Sequence, residues 1–422
     1  MPMPMPMPMP MPLHLRLLFV AGLCASLPTW AATGSLSPEV LLVPWADTDA
    51  YTPAVAKGAG GYLVVWQAGR LMNGNLVGAR FDASGAPTDS APFPISLAAD
   101  DQERPRIAFG GGVYLVVWQD LRNRKDYDVR AARVTPAGVV LDGEGILVAG
   151  GASNQANPRV SFDGTDFVVA WETFKSGLYE VHVARVAADG TLKDPEGVPV
   201  ARAPSGAYPG FHRFMPDVAS PADGQTLVLW HGAQHYWAGQ GSQWGSVFLR
   251  GGAVESRIDY SATGAAPVPQ PACVFSLAAG PDNWLATWRN LAQVGRGNPS
   301  NDANMTLIAK NGAPGPALTL LGRSHQILDP STSWDGAEYL TAWGEQRTLG
   351  ERTFDQVFAV ATSPVDGSPL TDELSIAGTF ERPARRAALA ANGARQALVV
   401  YEQHPASGAE PIRIGARLIT VQ

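Results

Sequence analysis

The hexapeptide YLVVWQ at Tyr62–Gln67 recurs letter for letter at Tyr114–Gln119. Looser copies run along the rest of the chain: FVVAW at Phe167–Trp171, LVLW at Leu227–Trp230, WLATW at Trp284–Trp288, YLTAW at Tyr339–Trp343 and ALVVY at Ala397–Tyr401. The closing aromatics Trp66, Trp118, Trp171, Trp230, Trp288, Trp343 and Tyr401 lie 52, 53, 59, 58, 55 and 58 residues apart. A steady period of this size means that one supersecondary unit is copied and stacked, because a single copy cannot bury its own apolar faces.

Each copy carries more than its aromatic. A proline precedes it, at Pro53, Pro105, Pro158, Pro216, Pro271, Pro330 and Pro383. Between proline and aromatic lie a short β-like run and a Gly or Asp-Gly turn, as in PRVSFDGTDFVVAW, which marks a β-hairpin. A polar loop and a third run follow, such as DVRAARV (128–134), EVHVARV (180–186) and QVFAVAT (356–362). A Gly-containing turn then leads to a fourth run, such as GILVAG (145–150) or ELSIAG (373–378). Four short strands in roughly 50 residues predict a propeller blade. The Val and Leu runs are apolar at consecutive positions, as strands covered on both faces must be.

The count predicts a closed ring. The seventh copy stops after its third strand, and a spare run, EVLLVPW (39–45), stands before the first proline. Adding that run to the last copy predicts an all-β, seven-bladed β-propeller with four antiparallel strands per blade, closed by the N-terminal strand. Closure also removes the free sheet edges that invite aggregation.

The proline, strand, Gly turn, YLVVW and ARV pattern resembles the repeats of secreted bacterial β-propeller proteins, mostly of unknown function. That resemblance spans nearly all of the chain after its first residues and implies the propeller; it brings no catalytic residue. No regular Gly-His and Trp-Asp pair of the WD40 kind occurs. The segment STSWDGAEYLTAW (331–343) is similar to a sialidase Asp-box, with an Asp-Gly spacing that departs from it.

The first 32 residues read differently. A Met-Pro run cannot form a helix, since every second residue lacks a backbone donor. After it come Arg16, an apolar run from Leu17 to Leu27, and small residues at Thr29, Ala31 and Ala32. This is the layout of a secretory signal peptide, and the run is too short to cross a bilayer. The expectation is a leader over 1–32 and one propeller domain over 33–422, exported to the periplasm or secreted. Leu23 stands where a lipoprotein signal places a small residue ahead of Cys24, which argues against lipidation. Beyond the leader only Cys273 remains, so no intrachain disulfide is expected and the core must hold the fold alone. In PACVF, Cys273 reads as a small apolar strand residue. A net charge of −7 gives no basic footprint for nucleic acid.

In a propeller the loops between second and third strands share a face with the links between blades. Those loops are long and polar here, as in QDLRNRKDYD (119–128), HGAQHYWAGQGSQWG (231–245) and GEQRTLGERTFDQ (344–356), while the opposite face has short turns such as PAG and ADG. Varied loops on a rigid scaffold are where function concentrates. Two residue sets stand out on this face. One is an aromatic and histidine cluster in the fourth copy: Tyr208, Phe211, His212, His231, His235, Tyr236, Trp237 and Trp244. It suits sugar rings, and equally suits long loops packed on themselves. His231 and His235 lack a third ligand at a recognised spacing, so no metal and no cofactor is expected. The other set follows the closing aromatics: Asp120, Glu172, Arg289, Glu345 and Glu402, with Gln67, Gln119 and His231. Equivalent blade positions should ring the channel mouth, where carboxylates beside His and Arg could do acid–base work, or simply end each strand in water. Two functions stay open. One is an exported binding or scaffold protein for a glycan, peptide or protein. The other is a polysaccharide hydrolase or lyase using the channel-mouth residues.

Overall fold

The structure, a computed structural model, describes residues 34–69, 73–201, 212–233, 243–259, 272–290, 303–321, 326–350, 352–406 and 410–421. The expected leader lies outside them. Every regular element among the described residues is a β-strand, and the strands form seven antiparallel sheets. No described helix is long and apolar enough to cross a membrane.

Blades 1 to 7 begin with first strands at Ala50–Lys57, Gln102–Gly110, Gln155–Phe162, His212–Ala219, Ala272–Ala279, Gln326–Trp334 and Ala384–Ala391. Each packs beside the first strand of the next blade, and the seventh packs beside the first, so the ring is closed. The repeated motif is the second strand: Gly61–Ala68, Val113–Asp120, Asp166–Lys175, Gln225–Ala233, Asn283–Asn290, Tyr339–Leu349 and Gln396–Gln403. All seven closing aromatics are buried, with Trp118, Trp288, Trp343 and Tyr401 wholly so. They fill the wedge between blades. Gly197 serves this packing: its φ is +65° and an added Cβ would lie 2.8 Å from the Trp171 ring.

The N-terminal segment completes blade 7 through two pieces, Gly34–Leu36 and Val40–Leu41, both antiparallel to the last strand Arg413–Val421. Gly34 faces Val421 and Leu41 faces Gly415. Pairing therefore starts five residues before the expected 39–45 segment and stops short of Trp45. The cause is proline: Pro38 and Pro44 have no N–H to give, so the strand breaks at one and ends before the other. Ser37 bridges the break. Its N–H donates to Leu418 O and its Oγ accepts the Leu418 N–H, both at 2.9 Å. The Tyr401 hydroxyl donates to Glu39 at 2.5 Å beside the same break.

The ARV element also has a packing role. Arg80, Arg133 and Arg185 on third strands grip Asp89, Asp142 and Asp194 through two guanidinium nitrogens each. Arg133 and Arg185 then donate to Ala188 O and Gly251 O of the following blade, at 3.3 and 2.7 Å. Each guanidinium holds its Asp well below the usual carboxylate range against the opposing cost of burial.

In blades 3 and 6 the link between second and third strands is itself mostly strand. In blade 3, Asp166–Lys175 and Leu178–Ala187 pair to their tips around Ser176 and Gly177, at φ +52° and +85°. Two successive left-handed residues make the hairpin turn whose twist matches its strands. In blade 6, Tyr339–Leu349 and Arg352–Thr362 likewise extend through most of the segment 344–356.

Candidate functional site

The site follows from a defect repeated in the first strands. In every blade the register between first and second strand slips near the start of the first strand, so that two residues face one. The five prolines Pro53, Pro105, Pro158, Pro216 and Pro330 sit in this bulge, where a missing donor costs no ladder bond. Phe275 and Ala387 take that place in blades 5 and 7, so Pro271 and Pro383 are not its counterparts. The residue before it is left-handed in five blades: Thr52, Arg104, Asn157, Met215 and Arg386 have φ between +49° and +53°. For a β-branched residue such as Thr52 this is strained backbone.

The strain is held by the residues after the closing aromatics. Glu402 of blade 7 accepts the Thr52 N–H of blade 1 at 2.8 Å. Gln119 of blade 2 accepts from Asn157 N of blade 3 at 3.2 Å, and Glu172 of blade 3 accepts from Met215 N of blade 4 at 2.7 Å. Glu172 also takes the Asn157 side-chain amide at 2.6 Å, and Glu402 takes Arg386 at 3.2 Å. The expected mouth ring is thus a set of latches between blades. Glu172 and Glu402 are 1% and 2% exposed, and neither reaches the cavity on the axis. Arg289 faces Cys273 at the equivalent rung of blade 5. Asp120 and Glu345 stand one residue further along, and so on the opposite strand face. Asp120 accepts from the Trp118 indole at 2.8 Å and pairs with Arg122 at 2.7 Å, while Glu345 pairs with Arg347 at 3.2 Å. Glu172, Glu402, Asp120 and Glu345 each bond to a partner in their own blade or the next.

The aromatic cluster is divided. Tyr208, Phe211, His235, Tyr236 and Trp237 lie outside the described residues. His231 and Trp244 were expected in a loop, yet they face each other on paired strands and are 2% and 5% exposed. The reason is that blade 4 continues its second strand to Ala233 and begins its third at Gln243. The His231 ring meets Phe214 edge-on at 4.8 Å, and burial pushes its pKa down to about 4. Half-buried His212 opens the first strand of blade 4, where its Nδ1 accepts the Tyr179 N–H at 3.3 Å.

What lies on the axis is a cavity of about 680 Å3, lined by residues of all seven first strands and by Gln67. The lining comes from the first halves of those strands, near the face carrying the long loops. Its next rung below the bulge consists of Ala54, Arg106, Arg159, Asp217, Ser276, Ser331 and Ala388. Three of these follow one rule. Asp217, Ser276 and Ser331 each accept an N–H from the next blade, of Leu277, Thr332 and Leu389, at 2.7, 2.8 and 3.2 Å. Arginine has no acceptor, so Arg106 and Arg159 break the rule. Each instead donates to the carbonyl of the proline before it, at 2.8 and 3.0 Å.

Charge inside the cavity is uneven. Glu103, Asp217 and Asp329 oppose Arg104, Arg106, Arg159 and Arg386. Arg159 Nε stands 3.6 Å from Asp217, with both side chains only slightly open to the cavity. Burial and then the Arg159 charge push Arg106 down to about 9, against the pull of Asp217 and Asp329; it stays a cation at neutral pH. Burial likewise lowers Arg159 and raises Asp217, in each case outweighing the pair's attraction. Sequence reasoning missed this rung. Its signal was present: Arg106 and Arg159 follow the repeat prolines directly, where the other copies place Ala, Asp or Ser.

The described residues contain no cluster of three or more His, Cys, Asp or Glu fit to hold a metal ion. No family model and no curated protein sequence matches the chain. Among solved structures it is similar to polysaccharide lyase Uly1, at TM-score 0.53 and 10% identity over 92% of this chain and 99% of that one. It is also similar to a protein of unknown function from Dyadobacter fermentans, at TM-score 0.50 and 11% identity over 92% and 100% of the two chains. An α-L-arabinanase of Penicillium chrysogenum, complexed with arabinobiose, aligns at TM-score 0.45 and 10% identity over 90% and 98%. The likeness to the lyase and to the Dyadobacter protein, at 10% and 11% identity, is one of fold.

Proposed function

We propose that the protein is an exported propeller that binds a glycan, taking one unit into the axial cavity from the loop-rich face. The cavity carries this reading. Its volume of about 680 Å3 falls in the range of small-ligand sites. Its wall alternates apolar Val55, Ile107, Val160 and Leu389 with hydrogen-bonding Arg, Asp and Ser, which suits the faces and edges of a sugar ring. Tyr208, Phe211, His212, His235, Tyr236 and Trp237 belong to the proposal as stacking and edge contacts for further units. That a polysaccharide lyase shares the fold makes polysaccharide the first class to screen.

Catalysis is the second reading, and Asp217 is what favours it. Burial holds this carboxyl above the ordinary range inside the cavity, as a proton donor to a leaving group requires. Glycan-array binding with the wild type, Trp237→Ala and Asp217→Asn, followed by product analysis on any glycan bound, separates the two. Binding without cleavage supports the first reading. Cleavage that Asp217→Asn abolishes supports the second. Failure of the wild type to bind any saccharide overturns both.

A further inference from the structure

We infer that the axial cavity is an anion site, built to hold a carboxylate of its ligand between Arg106 and Arg159, with Arg104 above them. The inference deepens the glycan reading and rests on it for the kind of molecule that carries the carboxylate.

The first ground is the broken rule. At this rung three blades use a hydrogen-bond acceptor as a tie to the next blade, through Asp217, Ser276 and Ser331, and two carry a small alanine, Ala54 and Ala388. The remaining two blades, adjacent in the ring, place guanidinium groups there, Arg106 and Arg159. Places where a local rule fails without a structural gain are where function is expected.

The second ground is pairing. Among the described residues Arg104 and Arg106 have no ion-pair partner, although all four arginines of the outer clasps and latches, Arg80, Arg133, Arg185 and Arg386, have one. Arg106 uses one nitrogen on Pro105 O and Arg159 one on Pro158 O, which fixes both forks and leaves further donors of each unused. Arg104 is fixed by the Asn157 side-chain oxygen, itself held through the Asn157 amide by Glu172. A planar fork held in place is the group that reads a carboxylate through two parallel bonds. Asp217 and Asp329 sit on blades 4 and 6, and blades 2 and 3 set Arg104, Arg106 and Arg159 against Glu103, so positive charge is in excess on their wall. A sugar carrying a ring carboxylate would set that group on this wall and its hydroxyls on Asp217, Asp329 and the two serines.

Calorimetry on the mature chain tests this with three probes: tetragalacturonate, the neutral galactose tetramer, and inorganic phosphate at matched ionic strength. Tetragalacturonate should bind at least about tenfold more tightly than the neutral tetramer, the loss expected when a site built for a charged group is left unfilled. Arg106→Met should remove at least about tenfold of that affinity, and Arg106→Lys, which keeps charge without the fork, should recover only part. Folding is checked by melting, where Arg106→Met should melt no lower than wild type. Equal binding of the charged and neutral tetramers, or an unchanged affinity in Arg106→Met, overturns the anion site while leaving glycan binding intact. If phosphate binds and Arg106→Met abolishes it, but no saccharide does, the anion site stands and the glycan reading falls. No binding of any probe overturns both.

Discussion

Glu402 separates a latch from a catalyst. It accepts the Thr52 N–H at 2.8 Å across the seam where the last blade meets the first. It also takes Arg386 at 3.2 Å and lies 3.5 Å from His404 Nε2. Glu402→Ala removes all three. A half-buried N–H left without an acceptor costs about 1–3 kcal/mol. Arg386 keeps 41% of its side chain exposed, so losing that pair adds only about 0–1 kcal/mol. The methylenes removed from a 2% exposed site add about 1 kcal/mol. The expected destabilisation is therefore about 2–5 kcal/mol. Glu402→Gln keeps an acceptor oxygen, and the protein already shows that an amide suffices: Gln119 holds Asn157 N in the same way at 3.2 Å. That variant should lose about 1 kcal/mol or less. Urea denaturation followed by tryptophan fluorescence measures both, with the m-value checking that unfolding stays a single transition. Equal losses for Gln and Ala would refute the latch. So would unchanged stability in both, the pattern of a residue kept for chemistry.

Three further outcomes follow from the same packing. Trp118→Ala, at a fully buried wedge, should cost about 3–5 kcal/mol in the same urea assay; a loss under 1 kcal/mol would contradict the wedge role. His231, held near pKa 4 against an ordinary 6.5, binds its proton more readily when unfolded, so its contribution is complete above pH 6.5 and lost as pH falls toward 4. His231→Gln should flatten the stability profile in that window, and an unchanged profile would place the acid sensitivity elsewhere. Removing residues 33–41 should expose the edge of Arg413–Val421 and give concentration-dependent association in light scattering; a monomer of unchanged melting temperature would show that the closing strand is dispensable.

The architecture was legible because it rests on repetition. One wedge aromatic and one hairpin turn per unit are copied seven times, and each copy confirms the others. The closing strand was legible as a missing element but not in its register, since Pro38 splits it into two pieces that a run of apolar letters does not reveal. The mouth residues were placed at the right rung for Glu172, Arg289 and Glu402, yet their role was not legible. It depends on a left-handed residue in the neighbouring blade, and φ at Thr52 or Met215 leaves no mark in composition. Asp120 and Glu345 show the limit differently: they are the second residues after Trp118 and Trp343, and a shift of one residue reverses the strand face.

Repetition also explains why the cavity wall was overlooked. A motif search keeps what recurs, and Arg106 and Arg159 are visible only as departures from what recurs. Once the blades are aligned on their bulges, the rung reads Ala, Arg, Arg, Asp, Ser, Ser, Ala around the axis. Five of these are small or are acceptors suited to a seam between blades. The two cations bring a desolvation cost that ion pairing does not offset, since among the described residues Arg106 makes no ion pair and Arg159 stands 3.6 Å from Asp217. Blades 2 and 3 differ from the rest at this rung, and it is on their wall that a ligand has something to read.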